Sequence, residues 1–283
     1  QVAAAPQTDA EVPSLILWHW KDPRTQATQQ VQENNDRGFS YSAAFQVGAN
    51  RVVRLTDEKM RQLQVGPKST WGAAFDFSQY ERDASIKGFT FRDIYAVNIA
   101  TGERKLVQKK VPGGAGGAFS FGSGAFSPDN SKYAYYELGE WKVYDFATGA
   151  TKSVTSGDNN NFYDDEDDHN QVKPGVGGAF VGWTRDNASI VVRDNWDYWR
   201  LPVSGTGAVN LTGNGRKDQV RYQTRLVFDT RDRSGIDLGV PMYVETYGEW
   251  TKKEGLVTVN VAKGGVTPIS LEDAKVDYRR ARD

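Results

Sequence analysis

"FSPDNSKYAYYELGEWKVYDFATGATKSVT", residues 126–155, reads as a turn, a strand, a second strand, a glycine turn and a closing Val-Thr. Ser127 and Pro128 take the first and second positions of a turn, where the proline ring fixes φ at about −65° and favours type I geometry. Lys132–Tyr136 and Trp141–Phe146 carry apolar groups on both alternating faces, the pattern of strands covered on both sides. Ala147-Thr148-Gly149 then supplies a hairpin glycine.

The phrase returns along the chain. RDIYAVNIATGERKLV at 92–107 repeats the Ala-Thr-Gly turn and lays Asp93-Ile94-Tyr95 over Glu140-Trp141-Lys142. GWTRDNASIVVRDNWDYWRLPVSGTGAVNLT at 182–212 repeats the turn, a β-branched strand and an aromatic strand. Weaker copies stand at 40–56 (SYSAAFQVGANRVVRLT) and 241–270 (PMYVETYGEWTKKEGLVTVNVAKGGVTPIS). Leu55-Thr56, Val154-Thr155 and Leu211-Thr212 mark the unit ends.

A unit of about 40 to 57 residues with four short strands predicts an all-β fold, a β-propeller, whose blades bury both sheet faces against their neighbours. About five four-stranded blades fit, near 15–56, 57–108, 118–155, 179–212 and 223–270, as a small ring or as part of a seven- or eight-bladed one. The alternative, a β-sandwich, does not require the recurrent Asp-aromatic-aromatic strand. The expected organisation is a flexible N-terminal segment over 1–12, the propeller or propeller fragment over 13–270, and a tail or linker over 271–283. Only 24–35 and 271–282 have helix-tolerant composition, and neither has an apolar stripe. The Gly/Ala-rich stretches 111–126 and 175–180 read as loops, too poor in side chains to fill a blade.

Composition removes several functions. Lys plus Arg number 35 against 36 Asp plus Glu, so no basic field draws in nucleic acid. The chain has no cysteine, which excludes disulfides and thiolate chemistry. No apolar run reaches the ~20 residues of a membrane-spanning helix, and the opening QVAAAPQTDAEVP lacks the charged and apolar regions of a secretion signal.

Several phrases resemble the propeller part of prolyl-oligopeptidase-type serine peptidases, particularly large secreted or periplasmic bacterial members. They are PSLILWHWKDPRTQATQQVQ (13–32), DDEDDHNQVKPG (164–175), NLTGNGRKDQVRYQTRLVFD (210–229) and YGEWTKKEGLV (247–257), and the likeness spans most of 13–260. The resemblance implies a propeller that filters peptides above an α/β-hydrolase domain, which holds the catalytic serine. No Gly-x-Ser-x-Gly elbow occurs here; Gly122-Ser123-Gly124 lacks the spacing. The resemblance therefore covers a non-catalytic portion. It implies no cofactor, a hydrolase domain of the same parent protein and a peptide as partners, and a periplasmic or secreted location.

Candidate binding residues gather in two places. Asp164, Asp165, Glu166, Asp167 and Asp168 are successive carboxylates followed by His169; their repulsion calls for a cation or for Arg and Lys partners. Asp164, Glu166 and Asp168 are calcium candidates, but EF-hand spacing is missing, and a solvated loop or an ion-paired rim facing another domain is the favoured reading. GRKDQVRYQTR at 215–225, with Arg216 and Arg221, is expected to be a wet loop able to hold a carboxylate. His169 beside Asp167 and Asp168 lacks a nucleophile in recognisable context. His19, between Trp18 and Trp20, reads as a strand histidine. Trp141, Trp183, Trp196, Trp199 and Trp250 read as inter-blade core rather than a ligand-binding face.

Two functional readings follow: the peptidase propeller, and a self-contained periplasmic binding scaffold similar to the Tol type. A metal-holding, lactonase-like propeller enzyme is a third and weaker class.

Overall fold

The computed structural model describes residues 17–87, 90–113, 126–137, 139–155, 162–168 and 177–279. The chain enters through helix α1 (Gln26–Arg37), which buries none of its residues, as its lack of an apolar stripe implies. Strands β1 (Ala43–Gln46) and β2 (Arg51–Arg54) follow, then β3 (Gln62–Val65), β4 (Trp71–Asp76), helix α2 (Glu81–Lys87), β5 (Thr90–Asn98) and β6 (Arg104–Gly113). Next come β7 (Lys132–Glu137), β8 (Glu140–Asp145), β9 (Thr151–Ser153), β10 (Ala179–Trp183), β11 (Ser189–Arg193), β12 (Tyr198–Pro202) and β13 (Val209–Asn210). Helix α3 (Gly215–Asp218), β14 (Val220–Leu226), β15 (Met242–Gly248), β16 (Glu254–Val259) and β17 (Val266–Glu272) complete the order. Among the described residues, sequential antiparallel pairing makes five sheets of two, four, three, four and four strands.

The sheets stack face to face. In β11, Ile190 and Val192 join Ala134, Tyr136, Trp141 and Val143 of the third sheet, while Val191 joins Met242, Val244 and Val257 of the fifth. In β7, Tyr133 and Tyr135 turn the other way, onto Ala73, Phe75 and Ile94 of the second sheet. Alternate side chains of one strand thus belong to different cores, and each such face contributes roughly 1.5–3 kcal/mol per buried large side chain. A sandwich buries one face of each sheet; this stack buries both faces of its inner sheets, as propeller blades do.

Repeated turns set the strand ends. Thr184 donates to Asp186 Oδ1 at 2.6 Å just as Ser127 donates to Asp129 Oδ1 at 2.6 Å. The following Asn187 and Asn130 take the left-handed conformation, φ 58° and 60°, which asparagine tolerates better than most residues. At the opposite hairpins, the Gly205 and Gly264 positions leave no room for a side chain: a Cβ would lie 2.9 Å from Ser153 O and from Asn210 O of the preceding sheet. The unit-end threonines recur as the sequence indicates. Thr56, Thr155 and Thr212 hydroxyls accept the N–H of Ser42, Trp141 and Tyr198 at 2.7, 3.2 and 3.0 Å.

These matching threonines set the register of the first unit. They place β1 and β2 at the register of β8–β9 and β12–β13, so residues 17–56 hold the second half of a unit rather than four strands. Where the first half would stand, the polar sequence of 24–37 forms α1, and Leu17, Trp18 and Trp20 are exposed. His19 is correspondingly no strand histidine; its Nδ1 accepts Lys21 N–H at 3.1 Å in an exposed turn. Among the described residues the third sheet has three strands, and Phe126 joins Tyr133 by an isolated bridge. Residues 271–279 form no helix: β17 runs to Glu272, and the tail beyond lies against its own sheet through Ser270–Tyr278 (2.8 Å). Helix α2 was not anticipated; its approach is pinned by Tyr80, whose hydroxyl donates to buried Asp93 at 2.7 Å.

Candidate functional site

The acidic loop descends from the third sheet toward the fourth. Phe162, fully buried and edge-on to Trp199, anchors it, and Gly177 N–H closes it on Phe162 O at 2.9 Å. The β11–β12 turn stands opposite. There Asp194 accepts the backbone N–H groups of Trp196 and Asp197 at 2.7 and 2.6 Å and the Trp199 indole at 2.7 Å, which fixes the turn and the Trp199 ring. Burial pushes the Asp194 carboxyl above its ordinary value, against the pull of these donors.

Around Trp196 the charges interlock. Arg216, on α3, grips both oxygens of Asp165 at 2.8 and 2.9 Å. Arg221, on β14, donates to Glu166 Oε2 at 2.8 Å and to Glu249 from the β15–β16 turn, while its guanidinium lies 4.0 Å from the Trp196 ring centre. Trp196 Nε1 donates to Glu166 Oε1 at 2.8 Å, and Asn195 holds Asp164 at 2.8 Å. The Asp165 contact holds the Arg216 guanidinium above its usual pKa; burial opposes the same rise at Arg221, and Glu249 and Glu166 overcome it. One guanidinium nitrogen shared between two carboxylate oxygens and a cation over an indole fix geometry more than they add stability at a half-exposed surface.

The structure therefore brings Asp164, Asp165, Glu166, Arg216 and Arg221 into one cluster joining the third, fourth and fifth sheets. Asp167 and Asp168 continue the loop, and His169 lies outside the described residues. Among the described residues no group of three or more His, Asp or Glu side chains is arranged to hold a metal ion, and the calcium candidates Asp164 and Glu166 are engaged by Asn195, Trp196 and Arg221. Two readings are corrected. Residues 220–226 are strand β14, not a wet loop, because Tyr222 packs into the last core. Trp250 is exposed, whereas Trp141, Trp183 and Trp196 are buried and Trp199 packs beside them. Sequence reasoning missed Asn195, Trp196 and Glu249 as members of the cluster; they come from turns distant in sequence, and only their recurring turn positions hinted at a shared end of the stack.

No family model matches the chain, and no curated protein is similar to it in sequence. Solved structures similar to it include a putative TolB from Agrobacterium tumefaciens, at 13% identity and TM-score 0.42 over 78% of this chain and 70% of that one. Dipeptidyl peptidase 4 of Porphyromonas gingivalis aligns at 11% identity and TM-score 0.47, over 83% of this chain and 38% of the peptidase. An acylaminoacyl peptidase of Pyrococcus horikoshii aligns at 10% and 0.39, over 76% and 33%. The chain spans well under half the length of these two peptidases. Likenesses this weak transfer no activity.

Proposed function

We propose that these residues form a non-catalytic β-propeller portion of a prolyl-oligopeptidase-like serine peptidase, which gates and positions peptides for an α/β-hydrolase domain of the same parent protein. The observation that carries the reading is the set of peptidase-like phrases on a blade repeat that contains no Gly-x-Ser-x-Gly elbow anywhere in its 283 residues. In this reading the cluster of Asp164, Asp165, Glu166, Arg216 and Arg221, with Asp167 and Asp168 on the same loop, forms a rim toward the hydrolase domain. The partly exposed Asp165, Glu166 and Arg216 supply charge for that contact. A periplasmic or secreted location belongs to the same proposal; no described helix is long and apolar enough to cross a membrane.

A fluorophosphonate probe tests the assignment of catalysis. The 283-residue chain should remain unlabelled while the parent protein labels on one serine; labelling of this chain would refute the proposal. A second reading, a self-contained periplasmic scaffold of the Tol type, draws on the near-zero net charge and on a stack that buries its cores without another domain. It predicts an unlabelled parent protein that retains a stable protein partner through size-exclusion chromatography.

A further inference from the structure

The connection between β14 and β15, residues 227–241, folds back across the stack. Ile236 donates to Trp183 O at 2.7 Å and accepts from Arg185 N at 2.9 Å, a parallel bridge along the open edge of β10. Between this excursion and the ends of β10 and β14 lies a cleft of about 400 Å³, within the size range of small-molecule sites.

Its lining combines two features. Val227, Phe228 and Val240 are each about half exposed there, an apolar patch on a surface that otherwise favours polar groups. Beside them stands Arg225, partly buried on β14. Among the described residues no hydrogen bond or ion pair engages its guanidinium, whereas Arg185 in the same cleft is paired with Asp237 at 2.7 Å. Burial lowers the Arg225 pKa from its ordinary value. Arg225 is half-buried and its guanidinium nitrogens still reach solvent, so a carboxylate entering the cleft can take them up, supplying two acceptors in the geometry of its fork.

We propose that this cleft binds a small amphiphilic carboxylate, such as the C-terminal residue of a peptide, with its apolar group on Val227, Phe228 and Val240 and its carboxylate on Arg225. The other charged groups at the cleft explain why this one position is open. Asp237 is taken by Arg185, and Asp229 accepts the N–H of Arg231 at 2.9 Å. Arg233 lies on the same excursion, adding positive charge. Asp232 accepts Ser234 N–H at 2.8 Å at the rim, so it competes with a ligand for Arg225 only from a distance. The site stands apart from the peptidase reading and does not depend on it.

Calorimetric titration of the chain with N-acetylphenylalanine and with its amide tests the proposal. The acid should bind about 10- to 100-fold more tightly than the amide, the range of a charge-assisted hydrogen-bonded pair. Arg225→Met should abolish that preference, and Asp232→Asn, a change at a fully exposed residue, should tighten the acid several-fold. Equal binding of acid and amide, binding of neither by the folded chain, or a preference that survives Arg225→Met overturns the proposal. Should Arg225→Met fail to fold, Asp232→Asn decides: acid binding that weakens or stays unchanged overturns it.

Discussion

Asn130 and Asn187 stand at the same point of successive units, and each ties its unit to the one before. The Asn130 side-chain oxygen accepts Thr70 N–H at 3.2 Å, the Thr70 hydroxyl at 3.0 Å and Trp71 N–H at 3.2 Å, while Asn187 accepts Asp129 N–H at 3.1 Å. Among the described residues the buried Asn130 amide nitrogen has no partner, so the bonds the site makes are to the acceptor. Asn130→Ala removes that acceptor and forces alanine to φ 60°, and should cost about 2–4 kcal/mol in urea unfolding at an unchanged slope. Asn130→Asp keeps the acceptor and should cost roughly 1 kcal/mol less than the alanine. Equal losses for the two substitutions would show that backbone strain, not the inter-unit bonds, dominates.

At the scale of the element, one hydroxyl closes each unit, but its partners differ. Thr155 serves the Trp141 N–H and lies 3.5 Å from Ser153 Oγ, whereas Thr212 also donates to the buried Asp197 carboxylate at 2.6 Å. Thr212→Val, which takes from the buried Asp197 carboxylate its shortest donor and leaves it the Gly215 N–H at 3.1 and 3.2 Å, should therefore cost about 2–3 kcal/mol and Thr155→Val about 1 kcal/mol. Chemical denaturation of the two variants orders them directly, and the reverse order would remove Asp197 from the explanation. The turns also titrate. Thr148 N–H holds the Asp145 carboxyl below its ordinary value, and the Thr184 hydroxyl does the same for Asp186. A carboxylate with a depressed folded pKa adds stability that is complete above the unfolded value of about 3.9 and vanishes as pH falls through the folded value. Stability should thus hold from neutral pH to about 5 and fall below about 4, with a shallower fall in the Asp145→Asn, Asp186→Asn double variant. Asp194, whose carboxyl is raised by burial, works against this trend, its stabilising share being greatest in acid and lost as pH rises through its folded value.

Over the whole molecule, what the sequence made legible was whatever is local and repeats. Ser127-Pro128-Asp129-Asn130, Ala147-Thr148-Gly149 and the unit-end threonines are turn chemistry within a few residues, so they mark strands wherever they occur. The partners of the acidic loop were legible as a charge requirement and as two candidate arginines, but not Trp196 or Glu249, which meet them only through stacking of separate sheets. Among the described residues the first unit shows only the two strands within 43–54, because the polar segment before them forms α1, a choice that no periodicity in the sequence forbids. The stacking itself remains open to experiment through two adjacent residues. Ile190 faces the third sheet and Val191 the fifth, and both are fully buried. Ile190→Ala should cost about 2–4 kcal/mol and Val191→Ala a smaller but clear amount, because each opens a cavity in a different core. Their losses should add within about 0.5 kcal/mol, whereas Ile190→Ala with Val143→Ala, both in the core between the third and fourth sheets, should depart from additivity by more. A near-neutral Val191→Ala would mean that one face of the sheet is wet, and the stacked arrangement would give way to a sandwich.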